Sequence, residues 1–426
     1  MSVMHDRTRR LICRVLFLTL ALLPTLAVFG WAMSYHWPGA QGRLEAALCQ
    51  QLGLRVSIDR VSYPQPGVTV FKGLKLADAE FGTPLADIDH LQAVSNSEGL
   101  TLLAGQVNVT ELGGPIFWQW LQEKLRQTQP DLWQFHAEHI RLSSGGKSHP
   151  LADFRVKNNP ALSGSSAIVL FRNRAGDDAA EDIQIKLARH RQANPPSTAW
   201  ELRTGSSVLP VSLLRVVLPQ IATFGPDARF RGTLTVSYGD APISTLNESA
   251  WGCDVSGAMD QANLAVLFGD LLPGALEGSA HIEIEHAQVR NGRLNSASVL
   301  LTAGTGRISG LLVLATAAAL ELESKAPATE QFGASMQSFE RLGLAVGINA
   351  RGVVLRGVCD NSAPGTIVGT LNGPLLRTQE PEHAIQPIAG LLQIVAPNSP
   401  VISPVTPEAQ RLARMLPLAT QELSHP

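Results

Sequence analysis

From residue 54 onward, apolar and polar residues alternate in short runs, a period of two that predicts strands with one wet face. The first runs place Val56, Ile58, Val68, Val70, Leu74 and Leu76 on the apolar positions, with Pro64, Pro66 and Gly67 supplying the turn. The same grammar returns at 84–94, 100–109, 168–171, 183–187, 230–238, 280–289, 293–302, 308–315 and 344–358. Between two of these runs, Asn291-Gly292 predicts a two-residue hairpin, because a type I′ turn needs positive φ at both central positions. The expected core fold is an antiparallel meander. Helical spacing appears at 43–52, where Leu44, Ala47, Leu48 and Leu52 share a face and Gly53 supplies the stop. It appears again at 115–128, with Phe117, Trp120, Leu121 and Leu125 on one stripe. Segments 210–224, 259–272, 387–395 and 407–416 look similar and are expected to pack on or cap the core.

The N-terminus has a different pattern. Arg7, Arg9, Arg10 and Arg14 precede an uncharged stretch over 15–33. Nineteen such residues span ~28 Å as a helix, close to the ~30 Å of a bilayer's hydrocarbon core. The expectation is a single-pass transmembrane anchor with its basic end in the cytoplasm and Trp31, Tyr35 and Trp37 at the outer interface. The rival is a cleavable signal, with Gly30 and Ala32 before the cut, although such hydrophobic regions usually run to ~7–15 residues. Either way, everything after about residue 38 is exported.

Charge narrows the function classes. Lys plus Arg total 34 against 36 Asp plus Glu in 426 residues, and only 16% of residues are charged. Nucleic-acid binding needs clustered Lys and Arg to displace counterions, so no nucleic-acid partner is expected. The chain divides into a tail and anchor over 1–38, a β-rich region over 39–190, a second β-rich region with helical insertions over 205–375, and a helical tail over 376–426. Asn194-Pro-Pro-Ser suggests the link between the two β-rich regions.

No nucleophile elbow, phosphate loop, dinucleotide fingerprint or zincin motif occurs, so no enzyme, cofactor or metal is expected. His136 and His139 flank Glu138 without a third ligand, and His281, Glu283 and Glu285 alternate with Ile282 and Ile284 as any wet strand face does. The four cysteines Cys13, Cys49, Cys253 and Cys359 lack metal spacing. A disulfide between Cys253 and Cys359 and two isolated thiols both remain open.

The apolar stretch, then Arg43-Leu-Glu-Ala-Ala-Leu, Leu52-Gly53-Leu-Arg-Val-Ser-Ile, Pro66-Gly67-Val-Thr-Val, Leu74-Lys-Leu-Ala-Asp and Pro84-Leu-Ala-Asp-Ile, resembles the amino-terminal region of AsmA-like proteins over positions 11 to 110. Residues 276–315 are similar to that family's repetitive strand region, less specifically. The resemblance implies an inner-membrane-anchored protein of a two-membrane bacterium, its bulk in the periplasm, concerned with envelope maintenance. Its larger TamB-like and YhdP-like relatives are associated with phospholipid movement through an apolar groove.

A sheet with one apolar face must cover that face, with its own helices or with lipid chains. An acyl chain of ~16 carbons gains on the order of 10 kcal/mol by leaving water, less the cost of ordering it. The expected lipid-binding wall consists of Val68, Val70, Leu74, Leu76, Leu234, Val236, Ile282, Ile284 and Leu300, with phospholipid as the ligand and envelope proteins as further partners. The alternative is a structural scaffold or assembly factor with a closed β core and no lipid cargo.

Overall fold

A computed structural model describes residues 11, 14–35 and most of 38–379, apart from 97–98, 128–131, 161–163, 174–180, 194–195, 219–223, 240–250, 270–271, 273, 327–329 and 361. Beyond 379 it describes only 385–386, 391, 394, 413, 416 and 417. The fold is mainly β: twenty strands form one mixed sheet and three short ones form a second.

Fifteen strands carry the main ladder. They are β1 (Arg55–Gln65), β2 (Val68–Ala77), β3 (Pro84–Asn96), β4 (Gly99–Val109), β5 (Trp133–Ser144), β6 (Lys147–Pro160), β7 (Ser165–Asn173) and β8 (Ile183–His190). The ladder continues through β9 (Ser197–Arg203), β10 (Arg229–Gly239), β11 (Trp251–Asn263), β12 (Ser279–Arg290), β13 (Arg293–Ala303), β14 (Arg341–Asn349) and β15 (Gly352–Gly357). Each pairs with the next, so the sheet passes without interruption through residues 190–205, where β8 and β9 pair from Gln184↔Arg203 to His190↔Ser197. Asn194-Pro-Pro-Ser falls in the connection between two paired strands.

All these neighbours are antiparallel except β4 and β5, which run parallel. The exception has a cause in the sequence. A parallel pair needs a crossover, and the amphipathic stripe forms it. Helix α3 (Gly113–Arg126) follows α1 (Leu23–Tyr35) and α2 (Pro38–Leu52) in chain order. Its Leu121 and Leu125 are buried, worth ~1.5–3 kcal/mol each. It packs across β3, β7 and β8.

Helix α2 ends as its sequence requires, with Gly53 at φ +68° and its N–H bonded to the Cys49 carbonyl. Glu45 accepts the Ile58 N–H at 2.9 Å, and the Gln41 amide donates to the Ile58 carbonyl, fastening α2 to β1. Asn291 and Gly292 have φ +53° and +75°, as a type I′ turn demands.

Several helical expectations are corrected. Segment 259–272 divides, because 259–263 stays in β11 and only α5 (Leu264–Phe268) is helical, started by the Asn263 side chain on the Ala265 and Val266 N–H groups. Segment 210–224 keeps one buried turn, α4 (Val211–Leu214). Run 308–315, expected as a strand, becomes helix α6 (Gly310–Ala319) after Gly306–Ser309. There Ser309 caps the Leu312 N–H, and the Leu-Ala-Thr-Ala-Ala composition favours helix once capped. Segments 387–395 and 407–416 lie almost wholly outside the described residues.

The apolar N-terminal stretch is helical over its described residues. The described residues 14–35 are continuously helical, with a π turn at Leu18–Leu22 before α1. No helix among the described residues is long and apolar enough to cross a membrane. Leu18, Leu20, Leu23, Leu26, Val28 and Phe29 are exposed. The side chains of Trp31, Tyr35 and Trp37 lie outside the described set.

In the first six strands the alternation skips a beat. Asp59, Gly73 and Asp89, then Gly105, Glu138 and Asp153, drop out of the pairing ladder, and buried residues step by three, as in Phe71 to Leu74, Leu91 back to Ile88 and Ala137 to Ile140. Gly73 at φ +63° breaks the pleat without a change of register, and Asp153 at φ +50° sits at a bulge against β7. A Cβ on Gly73 would collide with the Asp59 carboxylate. Gly73→Ala is expected to cost about 1–2 kcal/mol in urea unfolding for its backbone alone. The clash adds to that, and Gly73→Ala combined with Asp59→Ala recovers only the clash.

Burial makes stability depend on pH at one histidine. His149, 9% exposed, meets the Ser212 hydroxyl of α4 through Nε2 at 2.9 Å. Desolvation holds its pKa below the ordinary 6.5, assisted by Lys147 and opposed by a backbone bond at Ser144. A depressed folded pKa stabilises the native state above the unfolded value, and that stability is lost as pH falls through the folded one. The urea midpoint is therefore expected to fall below pH 6.5, and His149→Gln to flatten that decline.

Candidate functional site

The register turns the alternating pattern into a surface. Reading partners across the sheet, Thr69 of β2 pairs with Ala93, then Leu102, Phe135, Val156, Val169 and Ile185 follow on successive strands. The row continues through Leu202, Leu234, Val255, Ala287, Ala297, Ile348 and Val353. Every member after Thr69 is apolar. Fourteen strands at ~4.8 Å give a band of roughly 60 Å perpendicular to the strands.

Cover along the band is uneven. Leu202, Leu234 and Val353 are at most 3% exposed, while Leu102, Phe135, Ile185, Val255 and Ile348 are half-buried. Helix α3 supplies the cover in the first half. Trp118 meets Trp200 of β9 edge-on at 5.9 Å, and Trp120 meets Trp133 of β5 at 5.7 Å. Toward the far end, Ile284, Val299 and Val346 form a neighbouring row on the same face, all half-buried.

The nine residues expected to form one wall divide three ways. Leu234 lies in the band, and Val236 and Ile282 lie in neighbouring rows of its face. All three are buried, and Ile284 is half-buried on that face. Leu74 and Leu76 belong to the same contiguous core, joined by the three-residue step at Gly73. Leu300 pairs with Glu283 and Ala345, so it points away from Ile282 and Ile284, whose partners are Leu301 and Val299. Val68 and Val70 alternate with Thr69 and Phe71 and likewise fall opposite the band, Val70 beside Gln92. Alternation alone gives parity within one strand, and only the register links parity between strands. That is why Leu102, Phe135, Val156, Val169, Val255 and Ile348 were missed. Three of them sit on strands β5, β6 and β11, whose apolar residues are interleaved with His, Arg, Asp and Gly.

Among the described residues no group of three or more His, Cys, Asp or Glu is placed to hold a metal. His281 Nδ1 lies 2.6 Å from the Asp260 carboxylate, and Glu285 accepts from Ser298 instead of joining it. Cys49, Cys253 and Cys359 are free thiols. Burial, with a contribution from Asp254, pushes Cys253 up to about 11. It is therefore expected to react with a disulfide reagent at pH 8 only on unfolding, since the thiolate is the nucleophile; stopped-flow labelling with and without urea checks this.

The chain matches no protein-family model, no curated protein and no solved structure.

Proposed function

We propose that this chain is an inner-membrane-anchored periplasmic protein that shelters lipid acyl chains against the uncovered part of its apolar band, serving phospholipid transfer or envelope maintenance as its resemblance to AsmA-like proteins implies. The observation that carries the reading is the unbroken apolar row from Ala93 to Val353, half-buried at Val255 and Ile348 where α3 does not reach. A fatty chain lying across these strands gains ~0.8 kcal/mol per methylene removed from water. The first half of the band already has its cover in α3. The site of lipid is therefore the region from β11 to β14, where Val255, Ile284, Val299 and Ile348 are half-buried.

Anchoring draws support from the N-terminal stretch, whose leucines and phenylalanines are exposed around the helix. A helix apolar on all sides belongs in a core or a bilayer. With Arg7, Arg9, Arg10 and Arg14 on one end against Arg43 alone close to the other, the orientation rule leaves the sheet outside the cytoplasm.

A second reading is the scaffold with a closed core and no cargo, favoured by the full burial of Leu202, Leu234 and Val353. Titrating the full-length chain with a fluorescent fatty acid separates the two. The lipid reading predicts saturable, blue-shifted emission at about one or two chains per protein, whereas emission that never departs from the free-probe value favours the scaffold.

A further inference from the structure

We propose that a second site, a cleft at one end of strands β10 to β14, binds a phosphate ester through Arg229, Arg341 and His281. The cleft has a volume of about 720 Å³. Arg229 opens β10, Asp260 and Gln261 close β11, His281 opens β12, Thr302 ends β13 and Arg341 opens β14, so consecutive strand ends bring the polar groups together. The register sets Arg229 opposite Asp260 and His281 opposite Thr302.

The charges are disposed for an anion. Arg229 is exposed and feels the Asp227 carboxylate electrostatically, but that carboxylate is paired with Lys147 at 2.6 Å, which leaves the Arg229 donors for a ligand. Arg341 donates one Nη1–H to the Asp360 carbonyl at 2.8 Å, leaving the rest of its five-donor fork. Guanidinium forks match the paired oxygens of phosphate, a geometry an ammonium lacks. Two acids share the cleft. Asp260 is occupied by His281 Nδ1 at 2.6 Å, which holds the ring and leaves Nε2 for a ligand. Asp360 is drawn to Arg341 through its backbone.

Two further observations point to a ligand site. Gln261, on the cleft wall, has φ +58° beside a register irregularity between Met259 and Ala262. This is the conformation of a bulge, and bulges re-aim side chains and are over-represented next to active sites. The volume lies within the ~300–1,000 Å³ of small-molecule sites, too large for bare phosphate. The ligand is therefore a phosphate ester, either a soluble metabolite or the headgroup of a phospholipid. This site stands independently of the acyl-chain reading.

The test is calorimetric titration of the full-length chain at fixed ionic strength with glycerol 3-phosphate, and with vesicles of phosphatidylglycerol. Arg229→Gln and Arg341→Gln, both at exposed positions, are compared after a thermal melt shows each folded. The expected result is binding of at least one probe that each substitution weakens tenfold or more, while Lys186→Gln, at an exposed position of β8 outside the cleft, leaves it unchanged. Glycerol 3-phosphate binding assigns a soluble ester, and binding of vesicles alone assigns a lipid headgroup. Binding of neither probe, or binding that both arginine variants retain, overturns the proposal.

Discussion

Trp200→Ala is expected to lower the free energy of unfolding by about 3–5 kcal/mol, the cost of emptying a large aromatic site in a packed core. Trp200 is 2% exposed and lies between Leu187 of β8 and Val236 of β10. Its edge-on contact with Trp118 adds about 0.5–1.5 kcal/mol beyond area burial. The loss has a position as well as a size. Trp118 sits on α3, so the variant loosens the helix that covers the first half of the band. Urea denaturation measures the free energy, and limited proteolysis is expected to cut first within 113–126. A variant that keeps its urea midpoint would show that α3 is not held by this contact.

The second large effect is on lipid. Ile348→Lys places an ammonium in the half-buried end of the band, between Ala297 and Val353. Charge among acyl chains costs several kcal/mol unless it reaches water, so lipid occupancy is expected to fall at least tenfold. Leu300→Lys is the matched control. Leu300 lies on the opposite face, paired with Glu283, where a lysine gains a partner and meets no chain. Phosphorus analysis of the full-length protein, extracted and passed through size exclusion, is expected to show the loss for Ile348→Lys alone. Equal loss in both variants would mean that stability, not the band, governs retention.

Much of this was legible from alternation. Strands β3, β4, β10, β12 and β13 lie within a few residues of their expected runs, because each alternates over most of its length and is bounded by a glycine, proline or asparagine turn. The Asn291-Gly292 hairpin and the Gly53 helix stop follow from backbone chemistry that only those residues meet at low cost. Legibility failed where local pattern and tertiary pairing disagree. Met259 to Asn263 has apolar residues at helical spacing, but its backbone finds partners in β10 and β12 and stays extended. The 308–315 run reads as a strand through its β-branched Ile308 and Val313, yet the Ser309 cap and the alanines beyond make it a helix. Leu300 falls on the face opposite Ile282 and Ile284, because parity within one strand does not carry to the next without the register. The shifts at Gln288/Val289 and Ile284/His286 cancel, so the Asn291-Gly292 turn itself sets Leu300 opposite Glu283.

Photo-crosslinking in living cells tests the central claim most directly. A photoreactive amino acid at Ile348, and separately at Leu300, reports which face of the full-length protein touches lipid, read by mass spectrometry of the isolated chain. The account predicts phospholipid adducts at Ile348 and none at Leu300. Adducts to this protein's own residues at Ile348, with no lipid at either position, would contradict it.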